Sequence, residues 1–446
     1  MSRKYFGTDG IRGEYGGSVL TDAFAYRLGK AAGSWLQDRG QDAPIVIGRD
    51  TRASGKSLLN ALAAGYRDAG VLEVLDLGVL PTPAVAVFTR NIRAAIGVMI
   101  TASHNPAKDN GIKFFNKTGQ KFSDAFEEEI ESLLECTDSP DIIPVVDTVE
   151  VPDASAPYLD LLEPILTENS LKGMRIVVDS ANGSTFRTTP SLLRNLGAEL
   201  VLMGNTPDGS NINQGVGSQH PEGLSRLVVE SRADLGIAHD GDGDRILVCD
   251  EKGAIIDGDV LLCLFGLNAL KNNKLNQSTL VATVQSNLGL DRAIRNTGGR
   301  VVRTSVGDRH VLEEMRKSGF NVGGENSGHI IFSDINFTGD GLLAAIQLLS
   351  MMLEEGRPLS VLKNCMKLFP QKTGAIQVIE KRPLEDIPAI QDTIQILESE
   401  MGESGRVLLR YSGTEPKIRL LIEGENEDKV ETWYRVLESR VISELG

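Results

Sequence analysis

The sequence predicts an α/β protein made of three similar α/β units and a smaller α+β unit at the C-terminal end. Three observations carry this. Short apolar runs of strand length alternate with helix-length segments as far as Pro370. A strand, small-residue turn and helix start up three times in that stretch, although the three copies share little sequence. Beyond Pro370 the pattern changes to strands around a polar turn, with helices before and after. With 446 residues the chain is also too long for one compact core.

The elements follow in order. Pro44–Gly48 is a buried-strand pattern, and Ser54–Ala69 reads as a helix with Ser54 as its cap. Ala95–Ile100 is a second apolar strand and runs into Thr101-Ala-Ser-His-Asn-Pro106. The acidic stretch Asp138–Asp153, with Pro140, Pro144 and Pro152, marks a boundary. The second start is the strand Arg175–Asp179, the turn Ser180–Gly183 and a helix over Thr188–Leu196; Ala233–Ala238 is a later strand that ends at an acidic loop. The third is Leu280–Val284, a Gln-Ser-Asn turn and a helix from Gly289. After Pro370 come a strand, an amphipathic helix over Leu384–Met401, two strands flanking Ser412–Glu415 and a final helix. The expected units are 1–152, 153–254, 255–368 and 369–446.

Composition excludes several classes. Lys+Arg 46 against Asp+Glu 61 gives a net charge of −15, which repels nucleic acid and anionic membrane surfaces. An anionic small substrate then needs cations gathered locally. The four cysteines, Cys136, Cys249, Cys263 and Cys365, form no CxxC pair and read as reduced. Neither a signal peptide nor a bilayer-length apolar run is visible, so the expectation is a cytoplasmic protein with no membrane partner.

Four loops carry chemistry. In the first, Ser103 stands at the end of a strand, where α/β sheets bind ligands; His104 follows it, and Asp109-Asn-Gly-Ile-Lys113 comes next. Without a GxSxG elbow, the serine does not read as a hydrolase nucleophile. Taken alone it sits in a plain Ser/Asn/Pro turn, and His104 and Lys113 are ordinary packed or solvated groups. In the second, Asp240-Gly-Asp-Gly-Asp244-Arg245 alternates carboxylates with glycines, so that three hard oxygen ligands converge as Mg²⁺ requires. The third, Gly323-Gly-Glu-Asn-Ser-Gly-His329, is a hairpin signal offering Glu325, Asn326 and Ser327 to sugar hydroxyls. In the fourth, Arg410 to Arg419 gathers two arginines, Lys417, Ser412, Gly413 and Thr414 in an otherwise acidic chain, a composition suited to phosphate. Together they describe phosphoryl transfer on a sugar phosphate.

These loops, with Phe6-Gly-Thr-Asp-Gly-Ile-Arg-Gly13, Gly48-Arg-Asp-Thr-Arg52 and Val306-Gly-Asp-Arg309, resemble the α-D-phosphohexomutase family over essentially the whole chain, most closely its amino-sugar branch. The resemblance implies four domains with mixed sheets around a central active-site cleft, each giving one loop. It implies a phosphoserine at Ser103 and one Mg²⁺ held by Ser103, Asp240, Asp242 and Asp244. Lys113, Arg245 and His104 would be catalytic, with Lys113 the candidate base provided its pKa is lowered. Glu325, Asn326 and Ser327 would read the sugar, and Arg410, Ser412, Gly413, Thr414 and Arg419 the phosphate that does not react. Arg12, Arg49 and His310 would support them. The implied reaction interconverts glucosamine 6-phosphate and glucosamine 1-phosphate through glucosamine 1,6-bisphosphate, and a homodimer is the family-level expectation. Glucose or mannose phosphates, or hydrolysis by a phosphatase, are the rival readings. The chain departs from the family pattern at Tyr411, at His310, which stands as a second candidate for the base, and over Gln214–Ser218.

Overall fold

The computed structural model describes residues 4–7, 9–412 and 416–446. The first sheet contains β1 (Ile11–Glu14), β2 (Ile45–Arg49), β3 (Val74–Val79), β4 (Ile96–Ile100), β5 (Asp109–Asn116) and β6 (Val149–Glu150), in the order β1-β5-β4-β2-β3-β6. The second contains β7 (Arg175–Asp179), β8 (Glu199–Met203), β9 (Leu235–His239), β10 (Ile246–Asp250) and β11 (Ile255–Ile256), in the order β11-β10-β9-β7-β8. The third contains β12 (Thr279–Thr283), β13 (Arg300–Thr304), β14 (Val322–Gly324) and β15 (Ile330–Phe332), in the order β13-β12-β14-β15.

One motif repeats in all three. One strand in each unit, β2, β7 or β12, lies between two parallel neighbours, and an antiparallel strand, β5, β10 or β15, follows the third member. The middle residues of these central strands are apolar and buried, as strands flanked on both sides require. Each of the first three chemical loops joins the third parallel strand to its antiparallel partner: β4 to β5, β9 to β10 and β14 to β15. Repetition of one topology therefore places three unrelated loop sequences at equivalent strand ends.

Some local expectations change. Ser54 stands at the N-cap of the helix Gly55–Asp68, but its hydroxyl accepts from Asn110 Nδ2 at 2.8 Å instead of capping. The segment Asp109–Lys113 is the start of β5 rather than loop, so Lys113 projects from a fully paired strand. The helix expected from Leu384 begins at Pro388, after a short 3₁₀ turn, because Pro388 fits only the first helical turn. Within the acidic stretch after residue 137, Val149–Glu150 forms β6 and pairs parallel to β3.

A continuous apolar core runs through the second and third units and reaches Val85, Phe88 and Phe115 of the first. The fourth unit has its own core between the antiparallel sheet of β16 (Gln371–Gln377), β18 (Lys417–Gly424) and β17 (Gly405–Tyr411) and the helices Pro388–Met401 and Glu427–Leu445. Polar contacts join it to the third unit. Arg406 donates to the carbonyls of Val284 (2.7 Å) and Ser286 (2.5 Å) and pairs with buried Glu423 (2.7 Å). Glu423 accepts from Leu288 N at 2.7 Å, and Asn287 exchanges two hydrogen bonds with the Phe369 backbone. The Gln-Ser-Asn turn is thus a socket for the last unit.

Candidate active site

Ser103 is wholly buried and adopts φ 52°, a left-handed conformation unusual for a residue with a Cβ. Its hydroxyl donates to Asp240 Oδ2 at 2.6 Å. A Cβ on Gly241 would lie 2.5 Å from the Ser103 carbonyl, so only glycine allows the acidic loop to approach this closely. Asp242 accepts from Thr82 Oγ1 at 2.6 Å and from Lys113 Nζ at 2.9 Å; Lys113 also reaches Asp9 (2.9 Å) and Asp244 (3.3 Å).

The three aspartates offer ligand oxygens within 4.8 Å of one another. Asp242 Oδ1 and Asp244 Oδ1 are buried without a hydrogen-bond partner. Burial and the charges of Asp244 and Asp242 push the Asp240 carboxyl well above its ordinary pKa. Two orphaned carboxylate oxygens among repelling hard donors fit a divalent cation such as Mg²⁺.

The cations around the loop are ordered. Arg245 Nη1 lies 3.2 Å from His104 Nδ1, and Ser103 Oγ lies 3.3 Å from the same nitrogen. Arginine only donates, so Nδ1 is the acceptor and the ring proton is on Nε2. Burial, with Arg245 and Arg12 nearby, lowers His104 to about 4, leaving it neutral at pH 7. Burial alone would lower Lys113, but Asp242, Asp9 and Asp244 outweigh it and hold the amine well above its ordinary value. These three carboxylates favour the protonated amine, so Lys113 balances the acidic loop.

Asp9, Lys121, Asp308 and His329 extend the cluster. Lys121 pairs with both Asp9 and Asp308, and Arg12 pairs with Asp9. His329 sits between Asp244 (3.7 Å) and Asp308 (3.6 Å). Glu325 is buried and accepts from Gly307 N at 2.9 Å, while Asn326 and Ser327 form the exposed hairpin tip. His310 is exposed on the helix Asp308–Ser318 and bonds to none of these groups. Arg49 lines a separate recess with Asp76, Glu150 and Arg187; the arginine of that turn that reaches the serine loop is Arg52.

In the fourth unit, Arg410 and Arg419 are paired directly across β17 and β18, and neither has an acidic partner among the described residues. Like charges placed opposite each other destabilise a sheet unless an anion joins them. Tyr411 points to the other face, where its hydroxyl donates to Arg382 O at 2.6 Å, so this departure leaves the arginine face intact. The Ser412 carbonyl accepts from Lys381 Nζ at 2.7 Å. Gly413 and Thr414 lie outside the described residues.

Asp9, Asp308 and His329 lay within the motifs quoted above, but nothing in their local sequence joined them. Lys121 and Thr82 carried no signal.

Three repeated α/β units that bring a buried serine against an acidic cation site, beside a separate arginine pair, define an enzyme class that moves phosphoryl groups on small molecules. The chain belongs to the phosphoglucomutase/phosphomannomutase family. Sequence models of its alpha/beta/alpha domains I, II and III and its C-terminal domain match residues 3–141, 156–253, 257–369 and 375–435. It is 46% identical over 436 residues to the phosphoglucosamine mutase of Syntrophotalea carbinolica, covering 96% of this chain and 95% of that protein. A phosphoglucomutase/phosphomannomutase family protein from Burkholderia thailandensis superposes with a TM-score of 0.83 at 25% identity, over 100% of this chain and 99% of the other. The fold also matches Aspergillus fumigatus N-acetylphosphoglucosamine mutase, solved with GlcNAc-6P and magnesium, with a TM-score of 0.67 at 17% identity over 99% and 96% of the two chains. No helix among the described residues is long and apolar enough to cross a membrane.

Proposed function

We propose that the protein interconverts glucosamine 6-phosphate and glucosamine 1-phosphate, with Ser103 carrying the phosphoryl group between half-reactions. The observation that carries this reading is the buried Ser103 Oγ, 2.6 Å from Asp240 and backed by two orphaned carboxylate oxygens. The activity of the relative from S. carbinolica supports the substrate.

The phosphate on Ser103 passes to the free hydroxyl of the bound sugar phosphate, giving glucosamine 1,6-bisphosphate. The O–P bond to serine breaks as the bond to sugar forms, and the sugar hydroxyl's proton ends on the freed Ser103 Oγ. The bisphosphate turns over and returns its other phosphate to Ser103, the serine proton passing back to the sugar oxygen it leaves. Asp240, Asp242 and Asp244 would hold Mg²⁺, which offsets charge on the moving group. Arg245, set by His104, and protonated Lys113 add fixed positive charge at the same place. Arg410, Ser412 and Arg419 hold whichever phosphate is not reacting, and Glu325, Asn326 and Ser327 face the sugar. The division into units near residues 152, 254 and 368 belongs to the same proposal, as does a homodimer, which sedimentation would read.

Ser103→Ala should lose interconversion together with a phosphate-sized mass addition seen on part of the wild type. Full turnover by that variant would sink the covalent step. Comparing kcat/KM for glucosamine, glucose and mannose phosphates separates the family's substrates, because specificity is a ratio of those values.

A further inference from the structure

The carbonyls of Ser103 and Asn105 are each gripped twice. Arg52 Nη2 donates to them at 3.1 and 2.9 Å, and Asn213 Nδ2 donates to them at 2.9 and 2.9 Å. Each carbonyl has two lone pairs, so these four bonds saturate both. Arg52 comes from the serine's own unit and is fixed by buried Asp50 at 2.9 Å. Asp50 accepts from Thr101 Oγ1 at 2.7 Å, and Thr101 Oγ1 accepts from Ser103 N at 2.9 Å.

Asn213 comes from the second unit. Its backbone N–H donates to Ala181 O at 2.8 Å, and five residues on, Ser218 N donates to His239 O at 2.9 Å, next to Asp240. Asn213 and the acidic loop therefore share one frame. The missing side chain at Gly241 makes room, since a Cβ there would lie 2.5 Å from Ser103 O and 2.9 Å from Asn213 Nδ2.

We infer that Asn213 is a positioning residue for phosphoryl transfer: its amide holds the Ser103 backbone in its left-handed turn and in register with Asp240. This rests on the phosphoserine reading above. Asn213 acts through the serine's carbonyl, so its loss should misplace the serine oxygen while leaving the phosphate arginines and sugar hairpin intact. Transfer depends steeply on such placement.

The test uses the full-length protein with Mg²⁺ and glucosamine phosphates. Asn213 has φ 60°, which glycine adopts without strain, so Asn213→Gly removes the amide-bearing side chain while allowing the same backbone conformation. Its kcat should fall roughly 10- to 100-fold with KM within about threefold of wild type. Asn213→Asp keeps the shape but turns donors into acceptors, and should fall at least as far; it also serves if the glycine variant fails to fold. Hydrogen exchange without substrate should show faster exchange over residues 101–108 in both variants. A kcat within about twofold of wild type, or a loss lying wholly in KM, would overturn the inference. So would unchanged exchange over that segment. Wild-type protein that turns over no hexose phosphate would instead remove the phosphoserine reading, and the exchange result would still decide whether Asn213 holds the loop.

Discussion

Arg406 is where a single substitution should separate the fourth unit from the rest. Its guanidinium makes three contacts: the ion pair with Glu423, which is 0% exposed, and the bonds to the Val284 and Ser286 carbonyls. Arg406→Met keeps most of the stem's volume but strands a buried carboxylate with only the Leu288 N–H. Breaking a buried pair in this way costs about 3–5 kcal/mol, and the two lost carbonyl bonds lie within that figure. The fourth unit's core is separate, so the loss should appear as undocking rather than global collapse. Arg410 is four residues along the same strand, roughly 13 Å away. A loosened ribbon therefore misplaces the phosphate arginines, and KM for the sugar phosphate should rise more than kcat falls. Denaturant unfolding, with Glu423→Gln completing a double-mutant cycle, should give a coupling of about 2–3 kcal/mol. A stability change under about 1 kcal/mol with KM unchanged would refute this account of the joint.

Other expected outcomes follow from the same structure. Burial, then Asp257, raises Asp259 from 3.8 to about 7. The folded form binds the proton more tightly, so this contribution is present below pH 4 and is lost as pH rises through 7. Over about three pH units it amounts to about 4 kcal/mol. Asp259→Asn should remove that slope; parallel wild-type and variant unfolding profiles from pH 4 to 8 would contradict it. Arg410→Gln should relieve the pairing with Arg419 and stabilise the fourth unit by about 0.2–1 kcal/mol while raising KM; a tighter KM in steady-state assays would count against the phosphate cradle. Asp242→Asn should raise the Mg²⁺ needed for half-activity by about 10-fold or more, and an unchanged titration would remove it from the ligand set.

The repeated architecture was legible because strands buried on both faces must be apolar through their middle residues; β2, β7 and β12 show this. Chemistry was legible where one short segment holds all its parts, as in Asp240–Asp244. The Asp9–Lys121–Asp308 bridge was not, because its partners stand 112 and 187 residues from Lys121 and local sequence carries no trace of such pairing. The direction of the Lys113 pKa was hidden for the same reason: burial was foreseeable, but three carboxylates from two distant segments decide the sign. Strand β5 begins Asp-Asn-Gly, residues that usually mark turns, and its pairing with β1 and β4 overrides that preference.

The short strand β6 changes what a fragment of this protein would be. Val149–Glu150 covers the outer edge of β3 after an irregular stretch that would be an obvious place to cut. A fragment ending at residue 141 would keep Ser103 and its clamp from Arg52 but expose β3's unpaired amides and carbonyls to any strand that can add to them. It would tend to pair edge to edge and precipitate, whereas one carried through Glu150 would keep its own cover. The few residues that look like slack between two units are a partial cover on the β3 edge of the first unit.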